Sequence, residues 1–237
     1  MKKRIWELDA FRGLFILGMV LVHLFYDLID FYQVTSADSL GIYHFFLHWG
    51  GILFFLISGI CVTFSGRYLH RGLIVFLFGM LCTAVTAAMV LMKFADSSLI
   101  IYFGVLHCLG VCMLLWPLFK KCPLWLLGVL SVGIIAAGLY AGSHIRVDFP
   151  WLVPLGLTPH NFASSDYFPI FPNLGYFLIG ALLGKTLYAR QETLFPKVDP
   201  QNPLIRFLLF CGKHSLVIYL LHQPVLIALV GLILHLL

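Results

Sequence analysis

LDAFRGLFILGMVLVHLFYD, residues 8–27, decides how the rest of the chain is read. The run is long and apolar enough for a membrane-spanning helix, yet it carries Asp9, Arg12, His23 and Asp27. Ionisable side chains are costly in hydrocarbon, and those that persist there face a protein interior or a water-filled cavity. At about 100° per residue, the eleven steps from Arg12 bring His23 back to the same azimuth, roughly 16 Å further along the axis. Asp9 stands three residues before Arg12 and Asp27 four after His23, the spacings at which helical side chains meet. The four residues therefore form one polar stripe. Snorkelling would account for Arg12 alone, and a backbone carbonyl for a lone histidine. The whole stripe points to function.

Composition sets the class around that helix. Of 237 residues, 61% are hydrophobic and 11% charged, with a mean hydropathy of +0.99; soluble domains carry about 25% charged residues. The reading is an all-α polytopic integral membrane protein with one domain over residues 1–237. The net charge of +5 is no nucleic-acid footprint, because the basic residues fall between apolar runs instead of forming a patch. MKKR before the first run resembles a secretory signal. Glu7, Asp9 and the lack of a small-residue cleavage site make it an uncleaved first span instead. The six cysteines lie in apolar segments or near basic loops and read as reduced packing residues. Cys108 and Cys112 share a helix face, but without further ligands that spacing makes no metal site.

Crossing about 30 Å of hydrocarbon takes on the order of 20 apolar residues. Seven runs qualify, at 8–29, 45–65, 71–92, 99–119, 124–141, 170–189 and 213–236. Basic residues set the orientation. Lys2, Lys3 and Arg4, Arg67 and Arg71, Lys120 and Lys121, and the cluster from Lys185 to Lys213 fall on one side; Lys93 and Arg146 fall on the other. Positive residues favour the cytoplasm, which puts the N-terminus inside, the C-terminus outside and the chain in the inner membrane. The outer segment 142–172 is rich in proline and aromatic residues and reads as a re-entrant or lid segment, since irregular backbone at depth must be buried in protein. The outer segment 30–44 carries Asp30 and Asp38.

Depth arithmetic brings histidines together. His23 lies about 16 Å from the inner boundary, His107 about 13 Å from the outer one, and His222 about 14 Å from Lys213. Three helices thus send an imidazole to the middle of the bilayer, which favours a shared polar cavity over three separate structural histidines. Pro224 frees a carbonyl near His222, and Gln223 could relay a hydrogen bond to it. At the outer surface His44 and His48 share a helix face, without the glutamate of a zinc-hydrolase signature; Asp148, His160 and Asp166 could approach them. At the inner surface Arg12, Arg67 and Arg71 suit an anion, since guanidinium binds phosphate bidentately. Ordinary inner-side positive charge explains Arg67 and Arg71 equally well.

LDAFRG and the ten residues between Arg12 and His23 resemble the R-x10-H motif of the acyltransferase 3 family, and FFLISG at 54–59 resembles its second-helix signature. The likeness is closer to the bacterial relatives of heparan-α-glucosaminide N-acetyltransferase, in the same transmembrane acyltransferase superfamily. It is carried by YFGVLHCLGV at 102–111, DYFPIFPNLGYFLIGALLG at 166–184 and GKHSLVIYLLHQPVL at 212–226, nearly the whole chain. Seven spans are fewer than either family usually shows, and nothing here corresponds to the eukaryotic enzyme's lumenal domain.

The resemblance implies transfer of an acyl group, in particular acetyl, from cytoplasmic acyl-CoA to an extracytoplasmic sugar or amine. Acetyl-CoA would be the donor, with no metal. Arg12, with Arg67 or Arg71, would hold donor phosphates. His107 and His222 would line the donor's site. His23 would lie near the thioester as base or as organiser of the pantetheine end. The eukaryotic enzyme's catalytic histidine lies outside, after the first helix, where this chain offers His44 and His48. The implied partners are the lipid bilayer, acyl-CoA and the acceptor, with homo-oligomerisation open. A transporter or lipid-binding protein using the same cavity is the competing reading, and a structural subunit the third.

Overall fold

Apolar runs bounded by proline, glycine and basic residues become eight α-helices in a computed structural model, which describes residues 5–30 and 41–236, side chains at 30 and 233–236 excepted. Lys2, Lys3, Arg4, Asp38 and the Asp30 side chain thus lie outside the described residues. The helices are α1 (Trp6–Asp30), α2 (Gly41–Phe64), α3 (Tyr68–Leu91), α4 (Val105–Phe119), α5 (Leu124–His144), α6 (Ile170–Thr186), α7 (Pro203–Lys213) and α8 (Ser215–Leu236). The described residues contain no β-strand, only isolated bridges between Phe103 and Tyr167 and between Arg146 and Thr158. Five helices are long and apolar enough to cross a membrane: α1, α2, α3, α5 and α8. Their outward faces are apolar, with Leu77, Leu81, Val85, Val129, Val132 and Leu139 all exposed. In water such faces would be a liability; in a bilayer they are the lipid contact. The protein is a multi-pass, all-α membrane protein.

The structure differs from the sequence expectation in three places. The fourth run starts as a helix at Val105, not at residue 99. Residues 97–99 make a single 3-10 turn, and one side chain from elsewhere and one from the helix itself fix the helix start. Asp166 Oδ2 accepts from Val105 N at 3.0 Å, and His107 Nδ1 accepts from Gly104 N at 3.1 Å. Amide groups in the first turn have no partner within the helix, so these two acceptors decide where α4 begins. The sixth run ends at Thr186, leaving α4 and α6 with 15 and 17 residues, roughly 22 and 26 Å long. The basic stretch between the sixth and seventh runs, in which no element was expected, contains α7. Asn202 Oδ1 accepts from Leu204 N at 3.0 Å and Pro203 takes the first helical position, a favoured helix start.

The residues group into two compact units, Met1–Ile57 with Arg190–Leu237, and Ser58–Ala189. The division falls inside α2. In the second unit the ends of α3, α4 and α6 are tied together. Lys185 Nζ donates to Lys120 O at 2.7 Å and lies 5.5 Å from the Trp116 ring centroid, and Lys120 Nζ lies 5.3 Å from that of Tyr68. A lysine on the last carbonyls of α4 also complements the helix dipole. At the other end the segment after α5 forms a 3-10 helix over Pro150–Leu155. It folds back within the unit: the Tyr167 hydroxyl donates to Val153 O at 2.7 Å, and Phe168 N to Phe103 O. Burial pushes the Tyr167 phenol up to about 12, so it remains a donor at any physiological pH.

In the first unit α1 packs on α7 through two glycines. A Cβ added at Gly13 would strike the Leu208 carbonyl, and one at Gly212 the Asp9 carbonyl. Small residues let helix backbones approach this closely. Glu7 anchors the same end. It is 2% exposed, and its Oε1 accepts from Leu194 N at 2.8 Å.

Candidate active site

Parallel packing of α1 and α8 assembles the polar stripe into a site. Near the start of α1, Arg12 Nη1 donates to Asp9 Oδ1 at 3.0 Å. Eleven residues on, the His23 ring lies against that of His222, with centroids 4.8 Å apart and planes inclined by 54°. One turn further, Gln223 Nε2 donates to both carboxylate oxygens of Asp27, at 3.0 and 3.1 Å. The contacts Asp9–Gly212, on α7, and His23–His222 and Asp27–Gln223, on α8, follow in the same order along both segments, as a parallel course requires.

The chemistry of α8 is fixed by its hydrogen bonds. His222 Nδ1 is bonded to Tyr219 O. A carbonyl only accepts, so Nδ1 carries the proton, and in the neutral ring Nε2 is left as an acceptor. That Nε2 is buried and finds no partner among the described residues, and the same holds for Gln223 Oε1. A buried polar atom without a partner costs about 1–3 kcal/mol. Two on neighbouring residues call for hydrogen-bond donors that the described residues do not supply. Glu7 Oε2 is a third such atom, at the Leu194 end of α1.

The other sequence candidates sit as follows. His107 belongs to the second unit, where both ring nitrogens are engaged. Nδ1 accepts from Gly104 N, so Nε2 carries the proton and bonds Thr83 Oγ1 at 3.3 Å, which in turn donates to Ile101 O at 2.6 Å. His44 and His48 stand together on an exposed face of α2, with ring centroids 6.4 Å apart and His48 Nδ1 donating to His44 O at 2.9 Å. Arg67 and Arg71 are exposed at the start of α3. Asp166, considered as a neighbour for the outer histidines, is placed at the start of α4. No cluster of three or more His, Cys, Asp or Glu suited to a metal occurs among the described residues. All six cysteines are free thiols.

Three features lie beyond what the sequence shows. The Gln223 amide reaches Asp27. Glu7, an acidic flank in the sequence, is buried and bonded to Leu194 N. Arg206, Lys213 and His214 line, with Phe210, a depression of about 430 Å³ beside α7. The helix-start signal Asn202-Pro203 was available for α7; no local signal pairs Gln223 with Asp27.

The family model for heparan-alpha-glucosaminide N-acetyltransferase, catalytic, matches residues 4–224. The chain belongs to that family. The match runs from the start of α1 into α8 and includes His23, Asp27, His222 and Gln223. Comparison with curated proteins and with solved structures returned no match. For this member of the N-acetyltransferase family, the quoted motifs at the two ends of the chain gain a physical meaning. Gly13 of LDAFRG and Gly212 of GKHSLVIYLLHQPVL are the closest approaches of α1 and α7. His23 and His222, further along the same helices or their continuation, form the ring contact.

Proposed function

We propose that this chain is an acyl-CoA-dependent membrane O- or N-acyltransferase, using acetyl-CoA. It passes the acyl group from the cytoplasmic side to an extracytoplasmic glycan or amine across the inner membrane, with its N-terminus inside. The observation that carries this reading is the 4.8 Å contact between the His23 and His222 rings, eleven residues along α1 from Arg12, in a member of an acetyltransferase family. Paired imidazoles suit acyl transfer because such a ring can take a proton from the acceptor and return it to the leaving group.

The donor's parts find chemically matched residues. Arg12 takes the phosphates on the cytoplasmic side, where a planar guanidinium fork suits phosphate oxygens; Arg67 and Arg71 are the other guanidinium candidates. The acyl end lies along α1 towards His23, past an apolar wall that includes Met19. His23 acts at the thioester, as base or as organiser of the pantetheine end. The exposed pair His44 and His48 is the alternative for a base at the outer surface.

Arg12→Lys tests the donor assignment. An ammonium keeps the charge but loses the fork, so acetyl-CoA binding by calorimetry is expected to weaken about tenfold, the equivalent of 1.4 kcal/mol. Unchanged affinity in a folded variant would remove Arg12 from the donor site. No acetyl-CoA binding by the wild-type protein would overturn the acyltransferase reading itself.

A further inference from the structure

The two unpartnered atoms at the α1–α8 seam specify the ligand that completes it. His222 Nε2 is an acceptor because Nδ1 carries the proton to Tyr219 O. Gln223 Oε1 is an acceptor because its amide nitrogen is turned to the Asp27 carboxylate. Neither atom can bond the other, since both offer only lone pairs. A phosphate, a carboxylate or a carbonyl would leave both unsatisfied. The missing group must bring hydrogens.

We propose that His222 and Gln223 form the subsite for the acyl acceptor's nucleophile, a hydroxyl or amine group that donates hydrogen bonds to His222 Nε2 and Gln223 Oε1. This rests on the acyltransferase reading for the reaction, though not for the binding. Asp27 is a positioning residue: by holding the Gln223 amide it turns the side-chain oxygen towards the ligand. The seam then divides by helix. Donor groups lie along α1 from Arg12 to His23, the acceptor lies on α8, and the two meet where the rings of His23 and His222 touch. Asp27 is one turn beyond that contact along α1 and Gln223 the next residue along α8, on the side from which an extracytoplasmic acceptor arrives.

The step balances on these atoms. The acceptor's O–H or N–H bond breaks with its proton passing to His222 Nε2, and the heteroatom forms a bond to the acyl carbon. The carbon–sulfur bond breaks, and the leaving thiolate of CoA takes the proton from the imidazole pair through His23, the ring assigned to the thioester. His222 ends as it began, and one acyl group has moved.

The test uses the full chain in lipid nanodiscs, with glucosamine as the probe because it carries both an amine and hydroxyls. Imidazole nitrogens are labelled with ¹⁵N, and the His222 signals are assigned by their loss in His222→Gln. The wild-type His222 is expected to show a protonated Nδ1 and a bare Nε2 whose resonance moves when glucosamine is added. With acetyl-CoA present, His222→Gln and Gln223→Met are expected to raise the KM for glucosamine about tenfold or more, the equivalent of one lost hydrogen bond to a buried group, and His222→Gln, which also removes the base, to lower kcat as well. Acetyl-CoA affinity should remain at the wild-type value. A His222 with Nε2 protonated, or an Nε2 signal indifferent to glucosamine, overturns the subsite; both are read on the wild-type protein, so no variant has to fold. Transfer to glucosamine with unchanged KM in both variants also overturns the subsite and leaves the transferase reading standing. A shifted Nε2 signal without any transfer from acetyl-CoA supports the subsite and overturns the transferase reading.

Discussion

His23→Gln is expected to lower acyl transfer by roughly 10²–10⁴-fold, the usual contribution of a positioned acid–base group, while acetyl-CoA still binds. Glutamine keeps the approximate length and a hydrogen-bonding tip but cannot take or return a proton. The donor's phosphates are assigned about 16 Å away at Arg12, so the binding that dominates affinity is untouched. The ring contact with His222 is the reason for the size of the effect: removing one imidazole at 4.8 Å disturbs the place where acyl donor and acceptor meet. Loss of kcat with unchanged donor affinity would separate this role from a packing role, since a merely structural histidine would lower stability and leave the kcat of the folded protein intact. His48→Gln is the comparison at the outer surface. Should His48→Gln abolish transfer while His23→Gln runs at the wild-type rate, the base belongs outside.

Gly212→Leu is expected to produce the largest loss of stability. At Gly212 even a Cβ would strike the Asp9 carbonyl, and at Gly13 the Leu208 carbonyl. Neither obstacle is a flexible side chain that can turn away. Inserting methylenes into a tight contact costs about 1–3 kcal/mol, and a backbone obstacle places Leu at the top of that range or beyond it. Separating α1 from α7 would also disturb the register that sets His23 against His222, so activity should fall with stability. Gly231→Ala is the internal control: nothing lies within 4 Å of a Cβ there, and the change from glycine should be neutral or gain up to about 1 kcal/mol of helix propensity. Thermal unfolding of the two variants in the same lipid checks this. Equal melting temperatures for Gly212→Leu and wild type would contradict the close helix contact.

Much of this arrangement is legible in the sequence because membranes make polar residues expensive. The α1 stripe stands out for that reason, and its helical period places Arg12 and His23 on one azimuth without any structure. Depth arithmetic also puts His222 at the level of His23. It does not say which helices adjoin, nor that the His107 ring caps α4 and bonds Thr83. The bond between Asp27 and Gln223 spans 196 residues, beyond anything a local pattern encodes. Hydropathy found the apolar cores of the helices but not their ends: α4 starts where Asp166, 61 residues away, accepts its first amide. It passed over α7 because eleven residues cannot span a bilayer, although asparagine followed by proline marks a helix start.

The central claim is vectorial acyl transfer, and proteoliposomes test it most directly. Labelled acetyl-CoA is trapped on the side of the cytoplasmic loops, and glucosamine is supplied on the other side as acceptor. The expected result is labelled N- or O-acetylated product outside and free CoA retained inside, in amounts that match one for one. Passage of unmodified glucosamine with acetyl-CoA left intact would contradict it and make the polar seam a transport path.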